Sequence, residues 1–508
     1  MAYAEKRGNL WRARWRAPDG TLESKPGFRS RKDAEKYGRD QEAAIRNNTY
    51  IDPRAGQVTL NEWVNQWFPA LDLEPSTLAN YRYAIEVHIL PAFGDRPLAS
   101  LTAEEIAAWE METVRRGYTR TTAKAVRTLL ATLLGDAIPR HIQANPATRR
   151  RGKGRRGLSR IAQNESAEKA WPTPLQALLV AERCAALSSS DTDFVMVVTI
   201  AYTGMRWSEA IGLGPDCVHH DLIDINWKLY ELNGKFYKGR PKDGSIRPAD
   251  LPPFLSQLIA SHIDSNASLK CTCASSEPPW CPGAEYVFLG PDRGHFRRSN
   301  YSERSFRPAA DGWYPARKGK RPRPAMPVLV TDCDSFPGRP VPAWPAAVRG
   351  EEFVPPTGRG YIRLVSDERM GRCAECNRAC LRRADGKLIT HPGRDSQCPG
   401  SGQDPAEDAA PATWLSVLPS LTPHGLRHGH QTWMDEDGIP DVLKTERMGH
   451  ELPGMHGVYG HVSPAMRTDL KAALQERWES SLRKRAQLSP RSAVPVLDSL
   501  LKSLRSPR

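Results

Sequence analysis

The sequence predicts a multidomain fold: a small α+β N-terminal module, an all-α bundle, and a mainly α third domain that carries a small antiparallel sheet. Three observations indicate it: a length of 508 residues, alternating apolar residues near the N-terminus, and helical apolar spacing after residue 59. A cysteine-containing region at 314–415 interrupts the third domain, and it is too rich in proline, glycine and charge to belong to that domain's core. The expected boundaries are 1–55 for the module, 56–147 for the bundle, 148–170 for a linker, 171–485 for the third domain, 314–415 for the insertion and 486–508 for a disordered tail.

Composition and charge narrow the functional classes. The chain has 72 Lys and Arg against 58 Asp and Glu, a net charge of +14, which favours a polyanionic partner over the alternative of a merely basic cytosolic enzyme. No stretch approaches the roughly 18 apolar residues that span a bilayer, and the N-terminus lacks the apolar region of a signal peptide. We therefore expect a cytoplasmic protein without membrane contact.

The N-terminal module is predicted from residues 9–17, which alternate apolar and basic side chains as a half-buried strand does. Trp11 and Trp15 fall on one face, and the other face carries Arg12, Arg14 and Arg16. A turn at 18–21 and a helix at 31–45 complete a strand–strand–helix module. We expect the tryptophans to form a core and the basic face to be available to DNA.

The bundle is predicted from four apolar stripes at helical spacing. They are Leu60, Trp63, Val64 and Trp67; Leu78, Tyr81, Ala84, Ile85 and Ile89; Ile106 and Trp109 after a Thr102–Glu105 capping box; and Val126, Leu129, Leu130, Leu133 and Leu134. Because no catalytic constellation occurs here, the bundle is interpreted as a binding module or a scaffold. Candidate phosphate donors at the start of its last helix are Arg120, Lys124 and Arg127.

The linker between bundle and third domain is rich in arginine and glycine, which cannot pack a core. Its first basic residues are Arg149, Arg150, Arg151, Lys153, Arg155 and Arg156. The run is either a solvated linker or a strap that lies along DNA phosphates and releases counterions.

Eight of the ten cysteines lie between Cys271 and Cys398, and such clusters in a chain without a signal peptide favour metal over disulfides. The predicted ligands of a structural zinc ribbon are Cys373, Cys376, His391 and Cys398, with Cys380 as a substitute. A weaker set, which lacks an obvious fourth ligand, comprises Cys271, Cys273 and Cys281.

Four short segments of the third domain carry residues suited to phosphate chemistry. They are Thr203–Ala210 with Arg206; Lys242 in a strand hairpin predicted at about 222–251, with its turn at Asn233–Gly234; Thr422–His428; and Gly449–His450 followed nine residues later by Tyr459. In the third segment, Thr422 as N-cap and Pro423 at the first helical position place His424 and Arg427 near a helix N-terminus, where the dipole and free N–H groups favour phosphate. Each is weak evidence alone. In this order and spacing the set resembles the tyrosine recombinase, or phage integrase, family. The resemblance implies that family's catalytic fold, a preceding core-binding domain with a SAM-like fold, and an arm-type DNA-binding module at the N-terminus.

The chemistry of strand exchange explains why these residue types are needed. Arg206 and Arg427 can hold the non-bridging oxygens of a phosphodiester without losing charge. His424 is the expected base for the nucleophile Tyr459, and His450 a second donor to the phosphorane. The resemblance implies that a hairpin lysine protonates the leaving oxygen; Lys242 fits best and Lys238 is the alternative. Catalysis then requires neither metal nor ATP, and zinc is expected only as a structural ion.

Two features leave alternatives open. Glu209 either orients an active-site side chain or forms a surface salt bridge. The helical stripe Met466, Leu470, Leu474, Trp478 and Leu482 either packs on its own domain or, as the resemblance implies, exchanges into a neighbouring protomer.

The predicted function is integration or excision of a phage or mobile element at attachment sites in double-stranded DNA. The expected assembly is a homotetramer on DNA and a monomer or weak oligomer when free, with a DNA-bending or directionality protein as a further candidate partner. An Arg-, Ala- and Pro-heavy composition suggests a bacterial host, and hence a location at the nucleoid. The alternative functions are a topoisomerase-like relative and a catalytically idle protein that brings DNA sites together.

Overall fold

The structure, a computed structural model, is described for residues 2–47, 55–148, 169–266, 269–274, 279–290, 292–317, 322, 324–330, 338–340, 370–376, 379–392, 396–406, 412–450 and 461–505. The chain divides into two units, Met1–Ser166 and Ala167–Arg508. In the described ranges, no helix combines the length and apolarity needed to cross a membrane.

The N-terminal module has three strands rather than the two that the sequence predicted. An antiparallel sheet in the order β1–β2–β3 precedes one helix; the elements are β1 (Tyr3–Arg7), β2 (Leu10–Arg16), β3 (Leu22–Phe28) and α1 (Arg31–Arg46). The additional strand, β1, forms because Gly8, at φ +61°, reverses the chain. Trp15 is buried against Tyr37 of α1, with ring centroids 5.6 Å apart, which confirms a tryptophan-based core.

The rest of the first unit is the expected helical bundle. Its helices are α2 (Leu60–Trp67), α3 (Pro75–Ala84), α4 (Leu90–Phe93), α5 (Ala103–Arg115) and α6 (Arg120–Gly135), with a π-helical segment, Ile85–Ile89, between α3 and α4. The Thr102–Glu105 capping box is present at the start of α5. Indole N–H groups tie α2 to the end of α6: Trp63 donates to the Leu133 carbonyl at 2.9 Å and Trp67 to Asp136 at 2.6 Å.

The second unit is built mainly from helices. They are α7 (Pro174–Ser188), α8 (Asp191–Thr203), α9 (Trp207–Ala210), α10 (Pro253–Ser265), α11 (Arg298–Tyr301), α12 (Arg307–Asp311), α13 (Pro423–Glu436), α14 (Asp441–Met448), α15 (Pro464–Leu488) and α16 (Pro495–Arg505). Helix α8 is central, since every side chain from Thr192 to Thr203 is buried. Its nearly continuous apolar sequence is that of a helix surrounded by protein.

Two nested strand pairs replace the single predicted hairpin at 222–251. The elements are β4 (Leu222–Ile225), β5 (Lys228–Leu232), β6 (Lys235–Gly239) and β7 (Arg247–Asp250); β4 pairs with β7 and β5 with β6, both antiparallel. The predicted turn, Asn233–Gly234, joins β5 to β6 with positive φ at both residues. A 3-10 turn, Lys242–Gly244, lies between β6 and β7.

The insertion contributes short strands: β8 (Trp313–Tyr314), β9 (Met326–Pro327), β10 (Leu329–Val330), β11 (Gly338–Pro340), β12 (Met370–Arg372), β13 (Ala379–Leu381) and β14 (Ala412–Trp414). The expectation that 314–415 lies wholly outside the core is wrong at both ends. Tyr314, Val328 and Trp414 are buried in the core of the second unit. Cys373, Cys380, Leu388 and Cys398 form a separate small core.

The C-terminal stripe packs on its own unit. Leu470, Leu474 and Trp478 of α15 are buried, and the Trp478 indole stacks on the Phe254 ring at a centroid distance of 4.3 Å. This arrangement matches the reading in which the helix docks within its own domain.

The predicted disordered tail at 486–508 is wrong for its described part. Helix α16 buries Leu497 and Leu501, both 0% exposed, so the core of the second unit continues beyond residue 485. A fully buried ion pair fixes the preceding turn: Arg485 donates to both carboxylate oxygens of Glu182 in α7, at 2.5 and 2.6 Å. Ser492 donates to the same carboxylate at 2.7 Å.

We predict that Arg485→Met lowers the free energy of unfolding of the second unit by about 3–5 kcal/mol, because it leaves the Glu182 carboxylate buried and unpaired. The matched control is Arg483→Met on the same helix, which breaks an exposed ion pair with Glu479 at 3.6 Å. Its expected cost is about 0.5 kcal/mol or less. Denaturant unfolding followed by tryptophan fluorescence compares the two, and equal losses would contradict this account.

Candidate active site

The start of α13 has the anion-binding geometry expected of it. Thr422 caps the helix by accepting from the Gly425 N–H at 3.2 Å, and Pro423 occupies the first turn. This places His424 on the first turn and Arg427 at the start of the second, near the helix end where free N–H groups and the helix dipole favour a phosphate. The His424 ring meets the ring of His428 edge-on at 4.7 Å.

His424 is held in its neutral form. Burial lowers its pKa, and the positive charges around it, including Arg427 and Arg206, lower it further, to about 4. At neutral pH the imidazole therefore carries an unprotonated nitrogen, as a proton acceptor must. The pKa of His450 is also lowered, by burial and then by Arg427 and Arg206.

Arg427 is buried and oriented by backbone carbonyls. Its Nη1 donates to the Gly204 carbonyl at 2.6 Å, and its Nη2 donates to the Met448 carbonyl. The same Nη2 lies 3.2 Å from His450 Nε2. Arg427 thus contacts the turn that carries His450.

Arg206 reaches that turn from a second direction. Its Nη2 donates to the Gly449 carbonyl at 3.4 Å, and its Nη1 donates to Ser245 Oγ at 3.3 Å. Three of the predicted catalytic residues, Arg206, Arg427 and His450, therefore converge around the 448–450 turn.

Glu209 is the counter-ion of this cluster. One carboxylate oxygen accepts from Arg206 Nη1 at 2.8 Å, and the two oxygens accept from both Nη atoms of Arg247 at 2.7 and 3.1 Å. Burial opposes ionisation, but the bonds from Arg247 and Arg206 outweigh it and keep the pKa of Glu209 below its ordinary value. The alternative hypothesis, that Glu209 forms a surface salt bridge, is wrong, because Glu209 is only 1% exposed.

Arg247 was not among the predicted site residues. It is buried, and its Nε donates to the Arg447 carbonyl at 2.8 Å, so it connects β7 to the end of α14. A signal was present in the sequence: Arg247 shares a strand face with the core residue Ala249, and an inward-facing guanidinium requires a buried carboxylate.

Two glycines permit the close approach of the site turns. Gly204 and Gly449 both have positive φ, +68° and +61°. A Cβ on Gly204 would lie 2.8 Å from the His430 ring, and one on Gly449 would lie 3.0 Å from Arg247 Nη1 and from Ser245 Oγ. A side chain at either position would displace the groups that orient the arginines.

His430 and Arg447 form a second buried pair that the sequence did not reveal. Arg447 Nε donates to His430 Nε2 at 2.8 Å, and Arg447 Nη2 donates to the Tyr202 carbonyl at 2.8 Å. These bonds hold the end of α14, and with it the 448–450 turn, against α8 and α13.

The two candidate lysines occupy different environments. Lys242 is exposed in the 3-10 turn, three residues before Ser245, which contacts Arg206. Lys238 instead lies over the Trp227 ring, with its Nζ 4.6 Å from the ring centroid. Tyr459 lies outside the described residues.

The candidate DNA-contacting residues divide by exposure. Arg120 and Lys124 are exposed. The prediction for Arg127 is wrong, because its side chain is buried and bonded to Glu110 at 2.9 Å and to the Ala147 carbonyl at 3.1 Å.

In the N-terminal module, Arg14 pairs with Glu5 at 2.7 Å and Arg16 donates to the Gly20 carbonyl, whereas Arg12 is only partly exposed. The basic run 149–156 lies outside the described residues.

Two Cys/His clusters could hold a metal ion. In the predicted one, the donor atoms of Cys373, Cys376, His391 and Cys398 all lie within 4.8 Å of one another. His391 fits a ligand: Nδ1 lies 2.9 Å from the Ile389 carbonyl, and Nε2 is buried without a hydrogen-bond partner in the described part of the chain. The second cluster gains the fourth ligand that the sequence appeared to lack, because His295 joins Cys271, Cys273 and Cys281.

Comparison with known proteins identifies the relatives of this chain. Residues 59–113 match the family model described as phage integrase, N-terminal SAM-like domain. A prophage phiRv2 integrase of Mycobacterium tuberculosis is 24% identical over 273 residues, which cover 51% of this chain and 67% of the relative. The integrase of Mycobacterium phage D29 is 24% identical over 260 residues, 46% of this chain and 62% of the relative. Over these matched residues, the chain is similar to phage integrases.

The predicted resemblance to the tyrosine recombinase, or phage integrase, family is confirmed by these sequence matches. A solved structure of the Tn1549 transposon integrase with transposon right end DNA aligns with a TM-score of 0.48 at 15% identity, covering 83% of this chain and 100% of that chain. The resemblance rests on the sequence matches and not on this structural likeness.

We predict that the second unit loses stability as the pH falls below about 6.5. Burial and the neighbouring Arg447 keep the pKa of His430 well below its ordinary value, so the unfolded chain binds a proton that the folded chain excludes. The contribution of His430 to stability is therefore complete above the unfolded pKa and declines by about 1.4 kcal/mol per pH unit below it, until the pH reaches the folded pKa.

His430→Gln keeps an acceptor for Arg447 and removes the titration. Between pH 7 and pH 5 the variant should lose about 2 kcal/mol less than the wild-type chain, measured by denaturant unfolding. The same pH dependence in both proteins would contradict the assignment.

Proposed function

We propose that this protein is a site-specific DNA recombinase that integrates or excises a phage or mobile element through a 3′-phosphotyrosyl intermediate at Tyr459. The observation that carries the proposal is the convergence of Arg206, Arg427 and His450 on one turn, nine residues before that tyrosine in the sequence. The mycobacterial relatives, which are named integrases, support it.

The arginines would stabilise the pentavalent phosphate. Attack on a phosphodiester concentrates negative charge on the non-bridging oxygens, and preoriented donors lower the barrier without reorganising. Arg206 retains 20% side-chain exposure beside its Glu209 contact, so it can receive phosphate oxygens directly. Arg427 is fixed by two backbone carbonyls and contacts His450, and its guanidinium would supply the second positive charge of the site.

Proton transfers complete the reaction. The Tyr459 hydroxyl has an ordinary pKa near 10 and must lose its proton as its oxygen attacks phosphorus. His424, kept neutral by burial and neighbouring charge, would accept that proton. Lys242 on the adjacent turn would protonate the departing 5′ oxygen, and a second strand's 5′ hydroxyl would reverse both steps. The new phosphotyrosine bond replaces the broken phosphodiester, so this cycle requires neither metal nor ATP.

The remaining assignments follow from that reaction. Double-stranded DNA attachment sites are the proposed partner, contacted by the N-terminal module, by Arg120 and Lys124, and by the basic run 149–156. A homotetramer on DNA would bring two sites together. Action on DNA would place the protein at the bacterial nucleoid.

A structural zinc ion is proposed at Cys373, Cys376, His391 and Cys398, where the thiolates and the Nε2 of His391 supply a closed tetrahedral donor set.

A suicide DNA substrate, nicked so that the cleaved product cannot religate, tests the proposal. The wild-type chain should become covalently linked to its 3′ end, and Tyr459→Phe should abolish the link. The matched control is Tyr83→Phe, which removes the hydroxyl of an exposed tyrosine in the bundle and should leave linkage intact. Linkage by the Tyr459→Phe protein would disprove the nucleophile.

The same protein on a supercoiled plasmid with two attachment sites separates the alternatives. A recombinase yields exchanged products, a topoisomerase-like enzyme yields relaxed circles alone, and an idle binding protein yields neither.

We predict opposite consequences for two basic residues of α6. Lys124→Ala should leave folding intact and reduce the slope of log affinity for DNA against log salt by about 0.9, the value for one phosphate contact. Arg127→Ala should destabilise the bundle by at least about 2 kcal/mol, since it leaves Glu110 buried without its guanidinium partner. Fluorescence anisotropy over a salt series and thermal unfolding measure the two effects; the reverse pattern would refute the division by exposure.

A further inference from the structure

A second cluster of metal-binding side chains lies beside the lysine-bearing sheet. Cys271, Cys281 and His295 are buried, and Cys273 is partly buried. The Sγ atoms of Cys271 and Cys281 are 3.6 Å apart, and Cys281 Sγ lies 3.3 Å from His295 Nε2. All four donor atoms fall within 4.8 Å of one another.

These separations match ligands that share one tetrahedral ion. Thiolates about 2.3 Å and an imidazole nitrogen about 2.0 Å from zinc stand about 3.5–3.8 Å apart. The sulfur–sulfur distance is far longer than the roughly 2.05 Å of a disulfide, and the cysteines are free. The first cluster has the same spacing, with 3.7 Å between Cys373 and Cys398.

The hydroxyl of Tyr286 gives this cluster an outer contact. Its Oη lies 3.3 Å from Cys281 Sγ and is placed to donate a hydrogen bond to a coordinated thiolate. Such outer contacts are a usual feature of protein metal sites, because they fix the ligand and moderate its charge.

The ligands come from three loop segments with little regular structure of their own. Backbone hydrogen bonds connect these segments: the Cys271 N–H donates to the Ala284 carbonyl at 3.0 Å, and the Thr272 N–H donates to the Arg293 carbonyl at 3.1 Å. A metal ion would add a crosslink between these loop segments.

One ligand segment lies along the free edge of β6. Cys281 N–H donates to the Phe236 carbonyl at 2.8 Å, and Lys238 N–H donates to the Pro279 carbonyl at 2.9 Å. The Trp280 ring packs on the Tyr237 ring at a centroid distance of 3.8 Å. The cluster therefore holds the strand whose last residue, Gly239, is three positions before Lys242.

We propose that Cys271, Cys273, Cys281 and His295 bind one Zn²⁺ ion, and that this ion clamps residues 279–281 to the edge of β6. The ion completes a closed site of three thiolates and one imidazole, so its role is structural. The further consequence, that the clamp positions the Lys242 turn, rests on the proposed function. Metal binding itself does not.

Metal content of the full chain, measured by native mass spectrometry after reconstitution with zinc alone, tests the site. We expect two ions per wild-type chain and one in Cys373→Ser/Cys376→Ser. Adding Cys281→Ser should leave none. The matched control is Cys217→Ser, which removes a buried thiol outside both clusters and should retain two ions. No ion in Cys373→Ser/Cys376→Ser, or an unchanged count on adding Cys281→Ser, would overturn the proposal.

A conservative change keeps the test decisive if Cys281→Ser fails to fold. In the Cys373→Ser/Cys376→Ser background, His295→Cys preserves four donors, and the thiolate-to-metal absorption of its Co²⁺ form should rise in proportion to the fourth thiolate. An unchanged Co²⁺ spectrum would exclude His295 as a ligand.

The clamp has its own measurement. Removing zinc from Cys373→Ser/Cys376→Ser should accelerate hydrogen exchange at the Lys238 amide by at least about tenfold, because its acceptor, Pro279, is released. An unchanged exchange rate would show that the ion does not hold β6. None of these measurements uses DNA, so failure of the recombinase proposal leaves them unaffected, and their failure leaves that proposal standing.

Discussion

The buried Glu209 carboxylate is the interaction on which the candidate active site depends. It accepts hydrogen bonds from Arg206 on one side and Arg247 on the other, in a region that also holds the guanidiniums of Arg427 and Arg447. Several cations gathered in a poorly hydrated site repel one another, and an unpaired buried charge is costly. One carboxylate shared by two arginines lowers this repulsion while leaving an excess of positive charge for a phosphate.

Backbone carbonyls provide the rest of the restraint. Those of Gly204, Met448 and Gly449 accept from Arg427 or Arg206 and orient the guanidiniums without neutralising them. This design requires two turns to approach closely, which is why glycines with positive φ stand in both. The positive charge is thus fixed in direction before DNA arrives, and little reorganisation is needed during reaction.

What could be predicted from the sequence was mostly local. The Thr422 cap, the Thr102–Glu105 capping box and the Asn233–Gly234 turn depend on neighbouring residues, and the structure contains all three. The errors concern distant partners. The turn before α16 is held by the ion pair of Arg485 with Glu182, 303 residues away. Arg127 is buried against Glu110, and Arg247 against Glu209, 38 residues away. His295 was missed because an isolated histidine gives no signal until the fold places it among thiols.

Arg206 and Arg427 are proposed to act by neutralising charge on the scissile phosphate. DNA with a methylphosphonate at that position, which lacks the negative charge, tests it directly. Arg206→Ala and Arg427→Ala should each fail to form the protein–DNA link on ordinary DNA and regain it on the methylphosphonate, at a rate approaching that of the wild-type chain. If both variants remain inactive on the uncharged substrate, the arginines do not act through phosphate charge and this account of the site is wrong.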